Sequence, residues 1–268
     1  MKLSTALSTA LLASSALAAP LTEQRRARNA RRAANRQSHP PYQVDSTEIL
    51  QLTNTSKVEY SSNWAGAVLI GTGYTTVTGE FTVPTPKAGT GSSSRQESCA
   101  SAWVGIDGDT CSTAILQTGV DFCVQGNQVS FDAWYEWYPD YAYNFDSSEI
   151  SISAGDSIKV TVDATSLTAG TATVENLTTG QSVTHTFTGG VDGDLCEYNA
   201  EWIVEDFESN GSLVPFADFD TVTFTNAEAT TGGETVTPDD ATIIDIKQDN
   251  EVLTEVSVSN GKVTITYV

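Results

Sequence analysis

The feature that most limits the fold of this chain is a period-two alternation of apolar and polar residues, which recurs from about residue 58 to the end. Residues 157–163 and 262–268 alternate cleanly, as half-buried β-strands do. Residues 171–188 have the pattern of two strands joined at Thr179-Gly180, a hairpin signal. No segment has convincing amphipathic helix periodicity over more than about three turns. About a dozen such strands in one domain predict an all-β fold, either an antiparallel β-sandwich or a barrel.

The first 57 residues differ in composition from the rest. Residues 1–19 combine a charged start, a short apolar run and a small-residue end, which together indicate a secretory signal peptide. Arginines crowd into residues 20–57 without apolar periodicity, and behind a signal this predicts a basic pro-segment. Residues 58–268 are then the mature domain, long enough for one sizeable core. Because no other stretch is apolar enough to span a bilayer, we expect a secreted, extracellular protein without a membrane segment.

Charge is distributed very unevenly along the chain. The whole sequence has 13 Lys and Arg against 34 Asp and Glu; residues 1–57 hold eight and three of these, which leaves five and 31 in the domain, a net charge of −26. Phosphate binding requires clustered Lys and Arg, so the charge excludes nucleic acid as a partner. So few bases also limit the self-repulsion that unfolds proteins in acid. We therefore expect stability near about pH 3 and loss of structure above about pH 7.

Four cysteines lie in the domain: Cys99, Cys111, Cys123 and Cys196. In an exported chain an even number predicts two disulfides, with three possible connectivities. Their spacing lacks the close pairs of a structural zinc site, and we expect neither a metal nor another cofactor. Possible N-glycosylation acceptors are Asn54, Asn176 and Asn210.

The residues available for catalysis are restricted. The domain has a single histidine, His185, within an alternating strand, where an ordinary structural role is the better interpretation. Any Ser-His-Asp or Cys-His catalyst would have to use it. The sequence also lacks the Asp-Thr-Gly or Asp-Ser-Gly of paired-aspartate proteases, Gly-x-Ser-x-Gly and a phosphate-binding glycine loop. An enzyme of this composition works with carboxylates, amides and aromatic side chains.

Three segments are rich in such residues, and strand alternation sorts them into faces. In the first segment Trp103 and Asp107 share a face. In the second, one face carries Asp132, Trp134, Glu136 and Tyr138, and in the third, one face carries Glu201, Ile203 and Glu205. Carboxylates beside tryptophan favour a lined groove over a solvated surface. The same composition is typical of a sugar-cleaving cleft with paired carboxylates. On pattern alone, a glycoside hydrolase and a non-catalytic carbohydrate-binding module therefore remain alternatives to a peptidase.

Long motifs in order along the chain resemble those of one known family. They are Ala102-Trp-Val-Gly-Ile-Asp-Gly-Asp-Thr-Cys, Ile115-Leu-Gln-Thr-Gly, Asp132-Ala-Trp-Tyr-Glu-Trp-Tyr-Pro, Glu175-Asn-Leu-Thr-Thr-Gly-Gln and Ala200-Glu-Trp-Ile-Val-Glu-Asp-Phe-Glu. From about Tyr60 to the C-terminus the sequence is similar to the fungal glutamic peptidases, also called eqolisins, of the aspergilloglutamic and scytalidoglutamic type. The resemblance implies an antiparallel sandwich of two large sheets, concanavalin A-like, as in legume lectins and some glucanases. It also implies an acid endopeptidase that cleaves polypeptides and is insensitive to pepstatin.

The resemblance also assigns residues. It places the catalytic glutamine at Gln117 and the catalytic glutamate at Glu205, and it implies pairing of Cys111 with Cys196 and of Cys99 with Cys123. Positions that line and support the family's site, and so bind substrate, fall on Trp103, Asp107, Asp132, Trp134 and Glu136. In some members of the family an internal peptide is excised, but the corresponding stretch here, 87–98, is short, so excision is not expected. The loop at 84–96 contains Lys87 and Arg95 and is a plausible site for a single cleavage.

Two physical expectations follow for the catalytic pair and its pro-segment. Glu205 accepts a proton from water only when it is ionised, so its surroundings should favour the charged form even in acid. The basic pro-segment faces a strongly acidic domain, and at neutral pH this attraction should hold it over the groove as an inhibitor. Acid would weaken the attraction by protonating the carboxylates. We expect the protein to be a monomer.

Overall fold

A computed structural model describes residues 35–44, 58–93 and 95–268. The predicted signal peptide at 1–19, most of the pro-segment and Asn54 lie outside the described residues. Within them the chain forms strands, with one 3-10 helix at Pro238–Asp240. The strands are β1 Arg36–Gln37, β2 Val58–Ser61, β3 Trp64–Ile70, β4 Tyr74–Thr82, β5 Lys87–Ala88, β6 Ser98–Ile106, β7 Ile115–Gln125, β8 Gln128–Tyr138, β9 Tyr143–Asn144, β10 Ser157–Ser166, β11 Ala169–Asn176, β12 Gln181–Thr188, β13 Asn199–Glu205, β14 Glu208–Ser209, β15 Ala217–Asp218, β16 Thr221–Thr231, β17 Glu234–Val236, β18 Thr242–Gln248, β19 Glu251–Val252, β20 Thr254–Ser259 and β21 Lys262–Tyr267.

The strands build the predicted β-sandwich. An eight-stranded sheet has the order β12-β11-β10-β4-β16-β21-β20, with β17 beside β16, and a nine-stranded sheet has the order β19-β18-β3-β13-β6-β7-β8-β9, with β2 beside β18. All of these pairs are antiparallel except β2 with β18. The hairpin expected at 171–188 is present as β11 and β12, in continuous register. The two short pairs, β1 with β14 and β5 with β15, lie outside the main sheets.

The two sheets differ in how they meet solvent. In β10 and β11 buried residues alternate with partly exposed ones, as in strands with one face in the core and one face in water. In β6 and β13 every residue is buried, so both faces of the nine-stranded sheet are covered there. One face packs on the apolar core between the sheets. The other carries a second cluster of buried side chains: Trp64, Val68, Trp103, Ile115, Trp134, Ala142, Ile203 and Ile244.

Both disulfides stabilise the segments around the nine-stranded sheet. Cys99–Cys123 joins the adjacent strands β6 and β7, and Cys111–Cys196 joins the loops that precede β7 and β13. This is the pairing that the resemblance implies, and it fits a protein folded in an oxidising, extracellular environment. The described residues include no helix long and apolar enough to cross a membrane.

Asn176 is unsuited to the glycosylation that its sequence triplet suggests. Its side chain is fully buried at the end of β11. The amide nitrogen donates to Ser151 O and Asp156 Oδ2, both at 2.8 Å, and the amide oxygen accepts from two backbone N–H groups of the hairpin turn. Asn176 thus holds the β11–β12 turn, whereas Asn210 is exposed.

Several carboxyl groups are buried where their charge is poorly compensated. Glu201 is fully buried on β13, and neither carboxylate oxygen makes a hydrogen bond with a described residue. Burial raises the pKa of Glu201 well above its ordinary value, and the nearby charges of Asp109 and Asp107 add to this rise. Burial also raises the pKa of Asp206 well above its usual range and that of Asp245 to about 6. These groups favour the folded state when they carry a proton.

The first prediction concerns glycan occupancy. In a glycosylating host, glycopeptide mass spectrometry should find no glycan on Asn176, because the buried amide nitrogen is already hydrogen-bonded. Asn176→Ala should cost about 1–3 kcal/mol of unfolding free energy, the cost of leaving buried polar partners unsatisfied. Asn127→Ala, at an exposed turn position without a positive φ, is the matched variant and should change stability by less. A glycan on Asn176 of the folded protein would contradict the structure.

The second prediction concerns stability against pH. A carboxyl group whose pKa is higher in the folded than in the unfolded state stabilises the fold at low pH, and this contribution is lost as pH rises from the unfolded pKa, about 4.3 for Glu, through the folded value. Glu201→Gln removes one such ionisation. Its melting temperature should match that of the unmodified protein at about pH 3 and exceed it at about pH 7.5 by at least roughly 2–4 °C, the shift that 1 kcal/mol produces in a domain of this size.

The matched control is Glu228→Gln, which removes an exposed carboxylate. It should leave the difference between acid and neutral stability unchanged. If the melting temperature of the unmodified protein rises steadily from pH 3 to pH 8, the buried carboxyl groups do not make the fold more stable in acid, and the prediction is refuted.

Candidate active site

Strand register arranges the predicted site residues in three rows on the outer face of the nine-stranded sheet. The rows cross β13, β6, β7 and β8 in that order. They are Glu201, Gly105, Gln117 and Glu136; Ile203, Trp103, Gly119 and Trp134; and Glu205, Ser101, Asp121 and Asp132. Segments distant in sequence therefore meet on one surface, and carboxylates and the glutamine flank a central row of aromatic and small residues.

Trp103 lies at the centre of this face because glycines leave room for its indole. A Cβ atom at Gly105 would meet the Trp103 ring, and one at Gly119 would overlap the backbone of β6 and the Trp103 Cβ. The glycine in Ile-Leu-Gln-Thr-Gly thus provides the surface on which Trp103 packs. The Trp103 ring also packs edge to face on Trp64, with centroids 5.0 Å apart. Both contacts fix the direction in which the indole N–H points.

Glu205 is the acceptor for that N–H. Trp103 Nε1 donates to Glu205 Oε2 at 3.0 Å, and the backbone N–H of His39 donates to Oε1 at 3.2 Å. Burial nevertheless raises the pKa of Glu205 to about 7, and the charge of Arg36, the Ser38 hydroxyl and the two N–H donors only partly offset it. The expectation that the surroundings keep Glu205 ionised in acid is therefore wrong for this covered state, because desolvation outweighs the hydrogen bonds.

Gln117 is held on β7 with its amide uncommitted. The side chain is fully buried, and neither its oxygen nor its nitrogen hydrogen-bonds to a described residue. A buried amide without partners is costly, so such a group is commonly reserved for water or a ligand. The next residue, Thr118, is on the opposite face, where its hydroxyl donates to the backbone oxygen of Trp134 at 2.6 Å.

Residues 35–44, which we call the groove segment, cover this face. Arg36 and Gln37 pair antiparallel with Glu208–Ser209, and the backbone N–H of Ala142 donates to Arg36 O at 3.0 Å. Asn63 fixes the other end, since its oxygen accepts from the backbone N–H of Tyr42 and its nitrogen donates to the carbonyls of residues 39 and 40. The segment is extended and bound mainly through its backbone.

Arg36 and Ser38 point into the groove floor. Arg36 Nε donates to Asp121 Oδ2 at 2.8 Å, and Nη1 lies 3.3 Å from Glu136 Oε2. The backbone N–H of Ser38 contacts both oxygens of Glu136 at 3.2 Å. Burial raises the pKa of Glu136 well above its ordinary value, and the Arg36 charge acts against this. The groove segment thus places its cation among the buried carboxylates.

Asp107 supports the site from the end of β6. Its carboxylate accepts four backbone N–H groups at 2.7–3.2 Å, from residues 196–199. Burial raises its pKa, and those four donors oppose the rise. Asp107 is completely buried and its oxygens serve the turn that leads into β13. Among the substrate-binding candidates it is therefore a positioning residue for the strand that carries Glu205.

The remaining candidates are placed as follows. Asp132 lies opposite Asp121 on β8, at the edge of the face. His185 is on β12 in the other sheet, where its ring stacks on Tyr135 at 3.9 Å between centroids. Among the described residues one group of possible metal ligands comes together, Asp107, Cys111 and Cys196. Its two sulfur atoms form a disulfide, so it is not built to hold an ion.

Sequence reasoning missed several residues of this face. Asp121 was not among the candidates, although it lies four residues after Gln117 on the same strand face, a signal that alternation contains. Ser101 and Phe207 are identified only from strand register and from their contacts with Arg36. Asn63 is identified only from its hydrogen bonds to the groove segment. Sequence alone gave no reason to choose Arg36 from the arginines of residues 20–57.

Comparison with known proteins places this geometry in a family. The Peptidase A4 family matches residues 62–267. The chain is 67% identical to Aspergillopepsin-2 of Aspergillus niger over the whole of both chains, and 46% identical to Scytalidopepsin B of Scytalidium lignicola over 91% of this chain and 89% of that one. A crystal structure of scytalido-glutamic peptidase with a transition state analog inhibitor has a TM-score of 0.71 and 47% identity, covering 77% of this chain and 98% of that one. The chain therefore belongs to the Peptidase A4 family and is a glutamic peptidase, an acid endopeptidase.

Proposed function

We propose that this endopeptidase cleaves peptide bonds with a water molecule activated between Glu205 and Gln117. The observation that carries the proposal is the contrast between the two side chains. Glu205 is fixed by Trp103 and already contacts a peptide N–H of the groove segment, while the buried amide of Gln117 on the same face has no partner among the described residues. A peptide lying on this face meets a proton acceptor and an amide together.

The chemistry divides naturally between them. In its ionised form Glu205 takes a proton from water, the resulting hydroxide attacks the carbonyl carbon, and the carboxylic acid then gives the proton to the leaving amine. The Gln117 oxygen orients the water, and its NH2 group donates to the developing oxyanion. An amide does not titrate, so this second function persists in acid. Without a pair of catalytic aspartates, the enzyme should be insensitive to pepstatin.

The groove segment covers Glu205 in the described structure. Burial is the main cause of the raised pKa of Glu205, about 7, and three of the four groups that act against the rise, Arg36, Ser38 and His39, belong to the groove segment. When the segment leaves, water replaces these three contacts, while the Trp103 N–H continues to favour the charged form. The segment therefore blocks the path of the substrate to Glu205.

We also propose that residues 20–57 are an inhibitory pro-segment. Arg36 is attracted by Asp121, Glu136 and Glu205, and each carboxylate that gains a proton in acid removes part of that attraction. Residues 1–19 would direct secretion, in keeping with two disulfides, and 58–268 would be the mature extracellular enzyme. All catalytic groups lie on one chain, which supports action as a monomer on polypeptide substrates.

The third prediction tests the catalytic pair. Gln117→Ala and Glu205→Gln should each lower kcat/KM on a denatured protein at about pH 3 by about 10²–10⁴, the range for loss of an oxyanion donor or a general base. Both variants should remain folded by circular dichroism. Asp240→Asn, at an exposed position, is the matched control. Substantial activity in either folded variant would refute the assignment.

The fourth prediction tests the pro-segment. Arg36→Met in the full-length chain keeps the length of the side chain but removes its ion pairs, so activity on a short peptide at about pH 5 should exceed that of the unmodified chain by at least about tenfold, equivalent to 1.4 kcal/mol of lost inhibition. Arg28→Met removes the same charge from the same segment and should have little effect. If both variants lose inhibition to the same extent, charge alone, and not the Arg36 contacts, holds the segment. If Arg36→Met stays as inhibited as the unmodified chain, the Arg36 contacts do not hold it.

A further inference from the structure

A second concave site lies at the edge of the sandwich, away from the catalytic groove. β12 is the edge strand of the eight-stranded sheet, and β9, beside β8, is an edge strand of the nine-stranded sheet. A cavity of about 350 Å³, which we call the edge pocket, lies between them. This volume is at the lower end of the range of about 300–1,000 Å³ for small-molecule sites. Five rings line the edge pocket: Tyr135, Trp137, Tyr143, His185 and Phe187.

The edge pocket and the groove lie on opposite faces of β8. Trp134 and Glu136 belong to the outer face of the nine-stranded sheet, together with Gln117. Tyr135 and Trp137 alternate with them and contact rings of β12 in the other sheet. A ligand in the edge pocket therefore does not occupy the path of a peptide in the groove.

The rings of the edge pocket are held by contacts that need no ligand. His185 stacks on Tyr135, with centroids 3.9 Å apart and an interplanar angle of 7°, and Tyr143 stacks on Tyr135 at 5.9 Å. Trp137 Nε1 donates to Gly193 O at 3.1 Å, which ties the loop before β13 to β8. The pocket is therefore preformed, as small-molecule sites usually are.

Polar groups of both kinds line the same cavity. Asp140 and Asp192 are exposed, and their carboxylates accept hydrogen bonds. The Tyr143 hydroxyl donates to Asp140 Oδ2 at 3.1 Å, which fixes a ring that is 48% exposed. His185 supplies ring N–H groups, one when neutral and two when protonated. No lysine or arginine is among the described residues that line the pocket.

We propose that the edge pocket is a second binding site, separate from the peptidase groove, and that it takes a neutral pyranose ring of an oligosaccharide. The C–H face of a sugar ring is apolar and packs on an aromatic ring, and Tyr143 presents an exposed one. Each sugar hydroxyl both donates and accepts. A sugar can therefore use the carboxylates of Asp140 and Asp192 and the imidazole of His185 at the same time.

Ligands of other classes fit this lining less well. An anion would meet two carboxylates in a strongly acidic domain. A cation is attracted by the carboxylates and the rings, but in the acid where this peptidase works it also meets the imidazolium of the partly exposed His185. A wholly apolar ligand would cover Asp140 and Asp192 without giving them a donor. A neutral ring with hydroxyl groups satisfies the aromatic and the polar parts together.

The test is a titration of the full-length chain with neutral tetrasaccharides of glucose, mannose or N-acetylglucosamine, followed by NMR of the imidazoles at a constant pH of about 6. The chain has two histidines, His39 in the groove segment and His185 in the edge pocket, so His39 is an internal control. At least one saccharide should shift the His185 signals saturably, with a Kd of about 1 mM or lower. The His39 signals should stay unchanged.

Variants locate the bound sugar. Tyr143→Ala removes the exposed ring and Asp192→Ala removes an acceptor, and each should raise the Kd by at least about fivefold. Tyr143→Phe keeps the ring and should retain most of the affinity. Tyr198→Ala, at a tyrosine of similar exposure outside the pocket, is the matched control and should bind as the unmodified chain does.

Two results in the unmodified chain would overturn the proposal: no saturable shift of His185 with any of the three saccharides up to about 20 mM, or shifts of His39 alone. Tighter binding of tetramethylammonium than of every saccharide would overturn the ligand class. If Tyr143→Ala and Asp192→Ala are both folded and keep the full affinity, the sugar does not bind in the edge pocket.

Discussion

The burial of acidic side chains on one face of a sheet is the constraint on which the rest of this molecule depends. Asp121, Glu136 and Glu205 are at most 1% exposed there. A buried carboxylate is costly unless it takes up a proton or meets a cation. Protonation removes this cost in acid, and Arg36 supplies the cation in the described structure. The expected acid stability and the fit of a basic segment thus follow from the same arrangement.

The opposite sheet shows how the protein avoids the same cost elsewhere. The outer face of the eight-stranded sheet carries cross-strand pairs of threonine hydroxyls, Thr78 with Thr161, Thr173 with Thr184, and Thr223 with Thr264, beside the partly exposed ion pair of Lys159 and Glu175. Hydroxyl pairs do not titrate, so these contacts are the same in acid and at neutral pH. Among the described residues, the buried carboxyl groups lie on or beside the nine-stranded sheet.

The sequence predicted the strands well where one face meets water, as in 157–163 and the hairpin at Thr179-Gly180. In such strands apolar residues face the core and polar residues face water, so the two types alternate along the sequence. In β6 and β13 both faces are buried, and their motifs, not alternation, revealed the site. Gln117 and Glu205 came from family resemblance. The contacts around Arg36 depend on the register between β6, β7 and β8 and on a segment from outside the predicted domain. Neither can be deduced from the local pattern of residues.

The proposed inhibition by the groove segment follows from the same buried acidic face. The segment contacts Glu205 and lies on the path that we propose for substrate, and Arg36 places its cation between Asp121 and Glu136. Because the segment and the face belong to one chain, tethering raises the effective concentration of the segment far above that of a free peptide. A substrate therefore competes only after the segment is weakened, and protonation of Glu136 does this by removing part of the attraction on Arg36. In this proposal, the acid that suits the enzyme is also the condition that opens its groove.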